Sequence, residues 1–108
     1  MIVADTGAIL ALLDKGDRHH REVLRLYQAD PDAWVLPWAI LPEVDYLTLS
    51  HLGLKVELAW LEDLAAGRFA VEWGEPGDLE RAHEICRRHR DLKPGLVVGV
   101  VMAVAERL

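Results

Sequence analysis

Apolar positions along the chain follow two periods, and their alternation predicts the architecture. "MIVAD" is a short apolar run that reads as a buried parallel strand ending at Asp5. "TGAILALLDKG" follows at once as a helix, with Thr6 suited to cap its start and Gly16 to end it. In "GDRHHREVLRLYQAD", His20, Val23, Leu24 and Tyr27 recur at helical spacing, and Asp17 suits the N-cap. "AWVLP" is a second short strand, stopped by Pro37. "PWAILPEVDYLTLSHLG" begins the next helix, with Pro42 in its first turn and Gly53 at its end. "LKVELAWLEDLAAG" carries an apolar stripe of Leu54, Leu58, Leu61 and Ala65. "RFAVEW" alternates as a strand with Phe69, Val71 and Trp73 on one side. "EPGDLERAHEICRRHRDL" turns Leu79, Ala82, Ile85 and Cys86 inward on a helix. The tail "GLVVGVVMAVAERL" reads as a buried helix, with Met102, Val104 and Ala105 inward and Glu106 and Arg107 in solvent.

Strands alternating with helices imply an α/β fold, a parallel sheet covered by helices. Asp5 then sits at the carboxyl end of the first strand, where open α/β sheets place their sites. Glu43, at the start of the helix after the second strand, falls near the same edge. A buried acid there must be paired, hydrogen-bonded or metal-bound. Converging carboxylates suit Mg²⁺ or Mn²⁺. Two acids leave plainer roles open: Asp5 can accept backbone N–H groups of the following helix, and Glu43 can complement a helix dipole.

Composition narrows the choice. The chain has 108 residues, 52% of them hydrophobic, enough for one domain with a single core. Its net charge of −6 argues against binding nucleic acid through a general basic surface. Arg18, Arg21 and Arg25, and Arg81, Arg87, Arg88 and Arg90, form two groups able to meet phosphate or to serve as solvated helix faces. The single cysteine, Cys86, excludes an internal disulfide framework. The start of the chain lacks the form of a secretory signal, so the expected setting is a reducing cytoplasm. The uncharged run over 95–105 is 11 residues, against about 20 for a membrane span. His19 and His20 are adjacent and point about 100° apart on a helix, a poor geometry for one ion. The four tryptophans are dispersed and form no stacking platform in sequence; packing is their default role. Nucleotide-binding glycine loops, GxSxG and HExxH are absent. A phosphorylated receiver domain would need an acidic pair after the first strand, which Asp5 alone does not supply.

"MIVADTGAILALLDKGDRHH", "LPEVDYLTLSHLG", "EDLAAGRFAVE", "DLKPGLV" and "AVAERL", in this order, resemble PIN-domain proteins over essentially the whole chain. The nearest likeness is to the VapC-like toxins of prokaryotic toxin–antitoxin pairs. That resemblance implies a PIN-like three-layer α/β/α fold with a short central parallel sheet, as one domain over 1–108 whose C-terminal strand is missing from this sequence. It implies cleavage of RNA with Mg²⁺ or Mn²⁺, a VapB-like antitoxin partner, homodimerisation through helices, and no membrane role. Catalytic and metal-binding acids carry over to Asp5 and Glu43, with Thr6 supporting Asp5. Asp45, two positions past Glu43, points about 200° away around the helix. The family's third acid falls on Val98 and its usual serine on Val100, and the fourth acid lies past Leu108. A domain that only dimerises or binds antitoxin is therefore the alternative to an active nuclease.

Overall fold

The computed structural model describes all residues 1–108. Its elements run β1 (Ile2–Val3), α1 (Thr6–Leu13), α2 (His20–Ala29), β2 (Trp34–Pro37), α3 (Ile40–Leu52), α4 (Leu54–Ala65), β3 (Ala70–Glu72), α5 (Pro76–Arg88) and α6 (Gly95–Arg107). The three strands form one parallel sheet in the order β1-β2-β3. Val3 pairs with Val35, and Pro37 with Glu72.

Alternation along these strands sorts side chains onto two faces. Ala4, Trp34 and Leu36 meet Ile9, Ile40, Val44, Trp60 and Phe69 on one face, the side of α1 to α4. Val3 joins Ala39, Ala82, Val100 and Val104 on the other, against α5 and α6. The result is the expected three-layer α/β/α arrangement. Tyr27 links the larger core, its ring centroid 5.5 Å from both Trp34 and Phe69, and Phe69 lies 5.6 Å from Trp60. Trp34 and Trp60 are thus core residues.

Several local expectations change. Asp5, not Thr6, caps α1: its Oδ1 accepts the Ala8 N–H at 2.8 Å. The helix stops at Asp14 before reaching Gly16. His19, not Asp17, occupies the N-cap position of α2, and Asp17 accepts the His19 N–H instead. Leu54, Leu58 and Leu61 are exposed, and α4 buries Glu57 and Trp60 in their place. Trp73, Leu79, Met102 and Ala105 also face outward. Gly53 ends α3 as expected, at φ 92°.

Arg107 does not reach freely into solvent. It donates to both oxygens of the buried Asp78 at 2.9 Å and to Glu72 at 3.0 Å. Asp78 also accepts the Glu75 N–H, completing a capping box at the start of α5. The Arg107 guanidinium holds the Asp78 carboxyl below its usual range. This clamp joins the end of β3, the start of α5 and the end of α6. No helix is long and apolar enough to cross a membrane.

Candidate active site

Asp5 leaves β1 directly into α1, so its carboxylate stands at the carboxyl edge of the sheet. Glu43 occupies the first turn of α3, which follows β2. Because β1 and β2 are neighbours, the two acids line one cavity of about 300 Å³, together with Thr6 and Gly7. Both carboxylates are exposed. Asp5 fills two roles: one oxygen caps α1, and the other is free of any protein donor. Thr6 Oγ1 is buried without a hydrogen-bond partner.

The opposite wall comes from α6 and is apolar: Val97, Val98, Val101 and Met102. Val98 faces the two acids, as its place in the sequence implies, and offers methyl groups where the resemblance expects a carboxylate. Val100 points the other way, fully buried against α5 and the sheet. No three His, Cys, Asp or Glu side chains converge closely enough to share an ion. The oxygen-bearing half fits one hydrated divalent cation, since Mg²⁺ commonly takes one or two carboxylates and keeps several waters. The α6 half adds no ligand.

Asp45, on the far side of α3 from Glu43, meets the buried Glu57 of α4. A hydrogen bond to Asp45, reinforced by burial, raises the Glu57 carboxyl above its ordinary range. Sequence reading missed this pair. The available signal was that Glu57 precedes Trp60 by one helical turn.

The linkage has a definite sign. Glu57 keeps its proton in the folded chain at a pH where the unfolded chain has released it. Its contribution to stability is complete below the ordinary glutamate pKa and lost as pH rises through the raised one. Glu57→Gln, whose amide still donates to Asp45, should flatten this decline and raise the melting temperature near neutral pH. Thermal melts of both proteins from the ordinary glutamate range up to neutral pH check this; parallel curves would refute it.

Comparison with known proteins identifies the family and the fold. The chain is 28% identical to the ribonuclease VapC26 of Mycobacterium tuberculosis over 106 residues, covering 98% of this chain and 78% of that protein. Its fold matches the crystal structure of M. tuberculosis VapC20, a sarcin-ricin loop cleaving toxin, with a TM-score of 0.87 at 24% identity, over 99% of this chain and 82% of the other. The PIN domain model matches residues 2–104, almost the full length, and the chain belongs to the PIN domain family.

Proposed function

We propose that this chain is a toxin-type, metal-dependent endoribonuclease that hydrolyses RNA phosphodiester bonds. The observation that carries the proposal is that Asp5 and Glu43, from different elements, line one cavity at the carboxyl edge of the sheet. The similarity to VapC26 supports the same activity. Asp5 and Glu43 would hold Mg²⁺ or Mn²⁺; Thr6 lines the same cavity beside Asp5, with its hydroxyl unpaired rather than bonded to the Asp5 carboxylate. An ion held there would supply a lowered pKa for water and charge to offset that at phosphorus. Asp5 contributes its oxygen from a rigid position, because the α1 cap bond fixes its rotamer. Glu43 contributes from a helix that is itself packed through Ile40 and Val44.

We assign residues 1–108 to a single domain, working in the cytoplasm, paired with a VapB-like antitoxin and able to form a homodimer. The exposed Leu54, Leu58 and Leu61 of α4 offer apolar surface for such contacts.

The apolar α6 wall supports a second reading: a domain that keeps partner binding and has lost cleavage. One experiment separates them. Labelled RNA is incubated with the purified chain in Mg²⁺, in Mn²⁺ and in EDTA. Cleavage with either ion and none in EDTA is expected; no cleavage under any condition leaves the second reading.

A further inference from the structure

Three of the dispersed tryptophans come together in space, contrary to the sequence impression that no stacking platform exists. Trp38 directly follows β2 and Trp73 directly follows β3. The register that pairs Pro37 with Glu72 makes them the next positions on neighbouring strands, and the Trp38 N–H donates to the Glu72 carbonyl at 2.9 Å. Both therefore stand on the same carboxyl edge that presents Asp5. With Trp60, Leu61, Leu64 and Asp45 they line a depression of about 410 Å³. Trp73 is 74% exposed, so its ring is available to a ligand. Trp38 is held from behind: a Cβ on Gly74, at φ 88°, would stand 2.9 Å from Trp38 Nε1.

Two polar groups of the lining lack full partners. Trp60 Nε1 is buried with no acceptor. Asp45 Oδ1 is buried with no backbone or amide donor, and its neighbour is the Glu57 carboxyl. Trp60 Nε1 and Asp45 Oδ1 are enclosed, the latter beside Glu57, so the face open to a ligand combines the aromatic rings with the other Asp45 oxygen as acceptor. A lone carboxylate in a chain of net charge −6 repels a phosphate. It accepts readily from the amino and imino groups of a base. The first turns of α3 separate this depression from the acid cavity: Glu43 lines the cavity and Asp45 lines the depression.

We infer that the Trp38–Asp45–Trp73 depression is a base-binding subsite for a single-stranded nucleotide flanking the cleaved bond, taking an amino-bearing base and guanine best. Aromatic rings stack with any base, as single-strand readers do. Asp45 supplies the discrimination. Guanine presents two adjacent N–H donors on its pairing edge, whereas uracil presents one N–H between two carbonyls that a carboxylate repels. The inference deepens the nuclease reading and rests on it for the source of the nucleotide.

Binding is measured without catalysis, in EDTA, by tryptophan fluorescence of the full chain titrated with the pentanucleotides UUGUU and UUUUU. UUGUU should quench more strongly and bind tighter. Trp73→Ala should weaken UUGUU about tenfold, within the range for loss of one stacked base, and Trp73→Phe should restore most of it. Asp45→Asn should leave stacking and erase the preference for UUGUU. Because Trp73 is exposed, its loss leaves the core intact, which circular dichroism verifies. Equal binding of both oligonucleotides, with Trp73→Ala indistinguishable from the parent, would overturn the subsite. So would a Trp73→Ala variant that loses a co-purifying protein partner while binding UUGUU unchanged, since the surface then serves protein contact. A chain that discriminates the pentanucleotides yet cleaves nothing keeps the subsite and sinks only the nuclease reading. A chain whose cleavage keeps its KM in Trp73→Ala does the reverse.

Discussion

Asp5→Asn should abolish metal-dependent RNA cleavage while leaving the melting temperature nearly unchanged. Two separate jobs of one side chain make this the cleanest variant of the site. As an N-cap, asparagine is about as good as aspartate, so the bond to the Ala8 N–H survives. As a ligand, asparagine removes one of only two negative charges in the cavity. Loss of an outer-shell partner alone typically costs 10–100-fold in metal affinity or activity. Loss of a direct carboxylate should therefore exceed about 100-fold. Asp5→Ala serves as contrast: it should lose activity and also about 1 kcal/mol of stability, because the cap goes with the charge. The checks are cleavage rates across a Mn²⁺ titration and thermal melts of all three proteins. Cleavage by Asp5→Asn at the parental rate would remove Asp5 from the chemistry.

Val98→Asp is expected to have the opposite effect. Val98 is 45% exposed, so an acid there avoids core burial and disturbs little packing. It lines the cavity opposite Asp5 and Glu43. One added unit charge about 4 Å from a divalent ion contributes about 2 kcal/mol even at the dielectric of water. Mn²⁺ should therefore bind at least tenfold tighter by calorimetry, with faster cleavage alongside. If Val98→Asp binds Mn²⁺ no better than the parent, α6 does not approach the ion, and the valine wall is not what limits the site.

Much of this arrangement was legible because it depends on local pattern. β1 ends at Asp5 and α3 begins before Glu43 for reasons visible in short apolar runs, in Pro37 and in Gly53. The parallel neighbouring of β1 and β2 then brings the two acids together. What stayed hidden were choices between two plausible helix faces. On α4, Leu54, Leu58 and Leu61 form a genuine apolar stripe, yet the face with Val56, Glu57, Trp60 and Leu64 is the one turned inward. Periodicity identifies stripes; it does not say which one meets the sheet. The large Trp60 ring against Phe69 decides it, and that contact spans two elements. The same limit concealed the Trp38–Trp73 edge, since residues 35 positions apart become neighbours only through strand register. Arg107 was misplaced for a similar reason: its acids, Glu72 and Asp78, lie on other elements.

Gly99 gives the acid cavity a dimension that its lining residues do not control. It lies on the face of α6 turned toward α5, and a Cβ there would stand 3.0 Å from Cys86 Sγ and 3.2 Å from both the Ala82 Cβ and the Ala82 carbonyl oxygen. α6 therefore rests on α5 so closely that an added methyl would press on Cys86 and Ala82. Val98 and Met102 project from the same rod toward Asp5. The gap across the cavity is thus gauged from behind, by the absence of a single methyl group on the far side of the helix.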